Sequence, residues 1–218
     1  MTSSSKPLVF NRPYEHLLCG TMELRIKNRK TYYFTPVMDA YSRYILCYAL
    51  PPYQNDSVVI DVLKLAEQSL NDPSVAHLTV PATVHLSQRG GSKNQAYIDF
   101  VNNHPRFLMP EGGFKRSYIM TAFFGRFTVE CFDPSYHLLT SYKMLNEVIM
   151  DFCKYYNDSR IHEALDYQTP KKILHKAFTQ LAWEYAKAQA KAKTQAQDED
   201  QQKAQGKDQD KTQSSVQT

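Results

Sequence analysis

The chain has little of what marks a disulfide scaffold, a zinc module or a membrane protein. It holds 4 cysteines in 218 residues, and Cys19, Cys47, Cys131 and Cys153 are far apart, with no CxxC pair and no histidine at zinc spacing. They read as buried, reduced thiols, and the residues imply no bound metal. No stretch approaches the roughly 20 apolar residues of a membrane span, and the opening Met1 to Lys6 lacks the apolar segment of a signal peptide. A cytoplasmic protein with no membrane partner is expected. Large apolar residues almost vanish after Tyr185. Little there offsets the entropy of ordering, so residues 178–218 are expected to form an Ala/Gln/Lys-rich tail, helical and then disordered. The acids and lysines of residues 181–218 cancel, which leaves the formal charge of +4 on residues 1–180. An excess of that size suits a phosphate-facing surface and an ordinary soluble domain equally.

What is present is patterned. Residues 17–26 and 31–38 are two β-rich runs joined by Lys27-Asn28-Arg29-Lys30, a polar turn of hairpin length with Asn28 suited to a left-handed conformation. A third run, Tyr44 to Leu50, is apolar on both faces and is stopped by Pro51-Pro52. Asp56 or Ser57 then caps a helix whose stripe is Val58, Val59, Val62, Leu63, Ala66 and Leu70. Residues 79–86 read as a strand, and 94–102 as a helix presenting Ala96, Tyr97, Phe100 and Val101. Residues 119–131 suit a helix by Phe123, Phe124 and Phe127 and a strand by Phe127-Thr128-Val129. A long helix follows, with Ser141 near its start and a stripe through Met144, Leu145, Val148, Ile149, Phe152, Cys153 and Tyr156. The order is an α/β one with three leading antiparallel strands. Residues 1–16 are read as an extension, 17–177 as the core and 178–218 as the tail.

The long helix runs into Tyr156-Asn157, then Arg160, His162, Leu165 and Thr169-Pro170. This spacing resembles the pattern YN-x-x-R-x-H-x-x-L-x-x-x-TP that closes the integrase-type core of insertion-sequence transposases. Upstream, Tyr32-Tyr33 followed by Val37, Asp39, Tyr41-Ser42-Arg43 and Ile45 is similar to the strand pair of the same family. Ser87-Gln88-Arg89-Gly90 is similar to its Ser-Asp-x-Gly element. Together these cover about residues 17–175, and they imply an RNase H-like integrase core: a mixed sheet flanked by helices. Asp39, Arg43, Asn157, Arg160, His162 and Pro170 are the motif residues retained.

Active members of that family hold two magnesium ions on two aspartates and a glutamate, because hard divalent ions take carboxylate oxygens. Counting back from Asp39 without gaps places the first at Thr21. The second falls on Gln88, after Ser87. Counting back from Glu130, with Phe127 in the place of the family leucine, puts the third at Thr121. All three are neutral, so no catalytic residue and no cofactor is assigned, magnesium being expected for active relatives only. Glu23 and Asp39 are the acids nearest to the lost positions and offer a rearranged single-metal site. A capping role for Asp39 in the turn before Tyr41-Ser42-Arg43 is the competing reading.

Losing a metal site does not remove a phosphate-binding surface, which rests on Lys, Arg and backbone donors. Lys115, Arg116 and Arg126 flank the third position, Arg89 adjoins the second, and Arg160, Lys171 and Lys172 flank the closing motif. The expectation is a catalytically inactive, integrase-like protein tied to DNA integration, with DNA, a transposase assembly or its own kind as partner. A protein-interaction scaffold and a metal-dependent strand-transferase with rearranged acids are the alternatives. No zinc-binding or helix-turn-helix recognition module is evident before Leu17.

Overall fold

The first β-rich run forms two strands in the computed structural model, which describes residues 9–55, 57–87, 94–111 and 117–214, from 196 onward as backbone alone. β1 (His16–Cys19) and β2 (Met22–Arg25) both pair antiparallel with β3 (Thr31–Asp39). Cys19 stands opposite Val37 and Met22 opposite Phe34, so the register carries straight across Gly20-Thr21. The break marks a change of neighbour on the other edge, where β1 pairs parallel with β5 (Ala82–Leu86). β4 (Ile45–Ala49) lies antiparallel along the far edge of β3, and β6 (Phe107–Leu108) parallel beside β5. The result is a mixed sheet of six strands with three antiparallel segments followed by two parallel strands. β6 has only two residues, too short to show the alternation that would have revealed it in sequence.

Alternation along the strands sorts the core into two layers. On one face Leu17, Cys19, Val37 and Val84 meet α1 (Ser57–Leu70) and α2 (Gln95–Asn102). The buried set of α1 is the six-residue stripe read from sequence. Ahead of the helix, Asn55 Oδ1 accepts from the backbone N–H of both Ser57 and Val58, at 3.1 Å each; Asp56 lies outside the described residues. In α2, Tyr97 and Val101 are buried, but Ala96 is exposed because the helix is only half covered.

On the other face Leu18, Leu24, Phe34 and Met38 pack against α3 (Tyr118–Phe127) and α5 (Tyr142–Asp158). The ambiguous segment is helical. Met120, Phe123 and Phe127 recur at three- and four-residue spacing and bury against the Phe34 ring, which lies 4.9 Å from that of Phe127. A π-turn at Thr128–Phe132 and the short α4 (Asp133–Ser135) lead onward to α5. Residues 9–15, read as extension, belong to this body: Tyr14 is buried and Arg12 donates to the carbonyl of Leu78 at 2.6 Å.

The chain divides into two units, Met1–Phe178 and Thr179–Thr218. α6 (Pro170–Ser214) begins in the first with Leu174 and Ala177 buried. The second unit is helical to Ser214. It has no apolar stripe, and the helix is supported there by the propensity of Ala, Gln, Lys and Glu. Among the described residues no helix is long and apolar enough to cross a membrane.

Candidate functional site: a motif frame around an acid-free centre

Asp39 ends β3 with its side chain fully buried. Oδ1 accepts from the backbone N–H of Tyr14 at 2.8 Å, and Oδ2 from the backbone N–H of Ser42 at 2.8 Å and its hydroxyl at 2.5 Å. Burial pushes its pKa up, while these hydrogen bonds pull it down. The carboxylate closes the turn that lets Arg43 adopt φ 66° and aim its guanidinium at the carbonyl of Ala40, 2.6 Å away. Asp39 and Arg43 therefore build the β3–β4 connection, in line with the capping reading.

Asn157 acts at the start of β4. Its amide accepts from the backbone N–H of Ile45 at 2.9 Å and donates to the Ile45 carbonyl at 3.0 Å, copying the pairing of a strand. Beyond it, the Arg160 Nε and Nη2 donate to the two oxygens of Glu130 at 2.8 and 2.9 Å, a bidentate pair joining the closing loop to the π-turn after α3. The Arg160 hydrogen bonds hold the Glu130 pKa below the usual carboxylate range. The His162 ring meets Tyr156 edge-on at 4.7 Å, and its backbone N–H donates to the carbonyl of Gln168. Burial first, then the neighbouring Arg160 cation, push His162 down to about 4, so it is neutral near pH 7. Thr169 Oγ1 accepts from the backbone N–H of Lys172 at 3.3 Å, and Pro170 starts α6, as a cap followed by a first-turn proline should. Sequence reading used Glu130 only as a counting mark; its partnership with Arg160 makes it a fixed point of the frame.

Of the three expected positions, Thr21 and Thr121 lie among the described residues, and both are neutral. Thr21 sits on the α1 face of the sheet, its hydroxyl 2.8 Å from that of Thr35. Thr121 is exposed on α3, its hydroxyl donating to the carbonyl of Ser117 at 3.0 Å. The structure does not bring these two together. The residue next to Thr21, Gly20, which follows β1, faces α3. A Cβ there would stand 3.1 Å from Phe124 Cε2, 3.3 Å from Ser87 Cβ and 3.5 Å from Met120 Cε. One residue of register turns a strand position to the opposite face. Gln88 lies outside the described residues. Further along the same face, His16 Nδ1 and His85 Nε2 are 3.0 Å apart. Burial and the facing His16 push His85 down to about 4.

These residues do not fit a pair of magnesium ions. The space beside Gly20 and Ser87 is filled by a phenyl edge and a thioether methyl, and the hydroxyls of Thr21 and Thr121 are satisfied within the protein, whereas hard dications take carboxylate oxygens. Among the described residues no three His, Cys, Asp or Glu side chains are grouped to hold a metal ion. The rearranged pair fails on distance: Glu23 stands opposite Tyr33 and Asp39 opposite Leu17. Six residues of β3 separate those two points, about 20 Å of extended strand.

The cations separate by circumstance. Arg126 lies 3.8 Å from Glu130, which also binds Arg160, and Lys171 lies 3.2 Å from Asp158. Lys172 is exposed. Arg89, Lys115 and Arg116 lie outside the described residues. The Arg160 guanidinium, with its side chain 16% exposed, is engaged in the frame.

Residues 121–173 match the family model of the integrase core domain. No curated protein matches the chain. Among solved structures it is similar to the catalytic core domain of the HTLV-2 integrase in complex with magnesium, with a TM-score of 0.53 at 10% identity, over 75% of this chain and 98% of that one. A chain of the simian T-cell lymphotropic virus intasome, in complex with the PP2A regulatory subunit B56 gamma, gives 0.57 at 12% identity, over 75% of this chain and 55% of that one. The catalytic domain of the Mos1 mariner transposase gives 0.50 at 10% identity, over 78% and 79%. With an integrase core segment closing it and the strand order described above, the domain has the RNase H-like integrase core fold shared by retroviral integrases and mariner transposases.

Proposed function

We propose that this chain is a catalytically inactive integrase-like protein that works in DNA integration by binding, to DNA or within a transposase assembly. The observation that carries the reading is a contrast: Asp39, Asn157, Glu130–Arg160 and His162 hold the motif frame together, while Thr21, Gln88 and Thr121, the three positions where the family's acids are expected, carry no carboxylate. A pair of dications needs anionic ligands to offset the loss of hydration. Phosphate binding has no such requirement and follows from positive charge on the surface. Likeness to an integrase core solved with magnesium supports the fold-level relation to integration; the chemistry of the site supports the loss of catalysis.

The test is a pair of assays on the full chain. Cleavage and strand transfer on duplex DNA, measured with magnesium and with manganese, should stay at background. Binding of the same duplex in chelator should be measurable and should weaken as salt rises. Metal-dependent cleavage would refute the inactive reading. Salt-independent absence of DNA binding would refute the binding reading and turn attention to a protein-interaction scaffold.

A further inference from the structure

We propose that the β2–β3 hairpin, and not the cations around the closing motif, is the surface that meets the phosphate backbone of duplex DNA. The proposal rests on the binding reading above and assigns it a place. Arg25, Lys27, Arg29 and Lys30 stand within six residues, and all four are exposed. Among the described residues none of the four enters an ion pair, whereas Arg126, Arg160 and Lys171 all do. A cation already matched by a carboxylate must give up that partner before it can neutralise a phosphate. Glu23 on β2 is the one acid of the same strand, and Glu147, the nearest acid of α5, is taken up by Lys143.

The hairpin is also held in one shape. Ile26 donates to the carbonyl of Lys30 and Arg29 to that of Ile26, at 3.0 and 2.9 Å. Asn28 Oδ1 accepts from the backbone N–H of Lys30 at 3.0 Å, and Arg29 takes the left-handed conformation, φ 63°. The turn is then fastened to the segment before α5: the Lys27 N–H donates to the carbonyl of Leu139 at 3.0 Å and Asn28 Nδ2 to that of Thr140 at 2.9 Å. These bonds bring the hairpin beside the N-terminus of α5, capped by Ser141; Lys143 there is already paired with Glu147. The partial positive charge of a helix start adds to the cations there. The unpaired hairpin cations and the helix start thus present positive potential side by side, with Glu23 and the paired Glu147 as the acids of β2 and of the first turns of α5. A polyanion with regularly spaced charges is the partner that fits, and a fixed array loses less entropy on meeting it than flexible side chains on a loop.

The experiment compares three full-length proteins on a labelled duplex of arbitrary sequence across a salt series. One is the unaltered chain, one carries Lys27→Gln, Arg29→Gln and Lys30→Gln, and one is charge-matched with Lys64→Gln, Lys154→Gln and Lys187→Gln. The hairpin variant should bind about tenfold or more weakly near 0.1 M salt, and its slope of log affinity against log salt should fall by about two to three. The charge-matched variant should stay within about twofold of the parent. Equal losses in the two variants overturn the proposal while leaving the binding reading intact; a parent that binds no duplex overturns the binding reading and this surface with it. Lysine acetylation of the unaltered chain gives an answer free of any folding defect. Duplex should shield Lys27 and Lys30 and leave Lys154 reactive; reactive hairpin lysines in the saturated complex overturn the proposal.

Discussion

Two regions of this domain have diverged in how they use polar residues. In the frame, three polar motif side chains have specific partners: Asp39 with Tyr14 and Ser42, Asn157 with Ile45, Arg160 with Glu130. At the centre, the hydroxyls of Thr21 and Thr121 turn to Thr35 and Ser117, and the space in front of Gly20 is occupied by Phe124 and Met120. A fold needs its buried polar groups paired wherever they occur, so the frame is held by stability alone. The charge of a metal site has no such support. Once the ions are gone, unpaired carboxylates facing one another raise the energy of the folded state, and neutral or apolar residues lower it. The motif that identifies the fold is therefore a record of architecture, and the centre is the part that reports on chemistry.

That contrast is open to direct measurement by urea denaturation. The largest effect is expected at Asp39→Ala, which leaves the buried N–H groups of Tyr14 and Ser42 without an acceptor; a loss of about 3–5 kcal/mol is expected. A loss under about 1 kcal/mol would mean that the turn does not depend on the carboxylate. Gly20→Asp should come next, lowering stability by about 2–4 kcal/mol as a carboxyl is forced against Phe124 and Met120. If that variant is instead tolerated and gains stability on adding magnesium, the centre has kept its capacity for metal and the contrast collapses.

Glu130→Gln should lower stability by about 1–2 kcal/mol, since the pair with Arg160 is bidentate and half-buried. Because the folded pKa of Glu130 lies below its unfolded value, this contribution is complete above the ordinary glutamate range. It disappears as the pH falls through the lower folded value. Parent and variant curves should therefore converge in acid; curves that stay parallel would count against the ion pair.

A smaller effect is expected from the histidines. His85 and His162 have folded pKa values of about 4, below the ordinary 6.5. Between those limits the unfolded chain binds the additional protons, so stability should decline as pH falls from 6.5 toward 4. Each histidine should contribute about 1 kcal/mol after allowance for partial exposure. His85→Gln together with His162→Gln should flatten this slope, which a pH series of melting curves would show.

Much of the fold was legible in the sequence because it rests on local pattern. The six-residue stripe of α1 and the Ser141 cap of α5 follow from periodicity and capping chemistry alone. The π-turn after α3, the two-residue β6 and the Asn55 cap of α1 do not, since each depends on what the neighbouring layer leaves unfilled. The hairpin shows both sides. Its position was evident from Lys27-Asn28-Arg29-Lys30, but Arg29 takes the left-handed conformation while Asn28 uses its side chain to bridge the turn. At the candidate site, motif spacing pointed to Thr21, Gln88 and Thr121 as the expected positions. Which residue after β1 faces α3 was not legible, because a count through a turn does not know which way a strand is facing.

By itself, then, the amino-acid order determined the leading strands, the stripes of α1 and α5, the closing motif and the neutral residue types at the three expected positions, all of which are properties of spacing and residue type. Only the tertiary structure decided that Gly20 rather than Thr21 meets Ser87 and α3, that Glu130 is the partner of Arg160, and that the hairpin cations are unpaired. Those facts depend on the face and the distance at which remote segments meet, and such distances are set by packing across the sheet rather than by any stretch of chain alone.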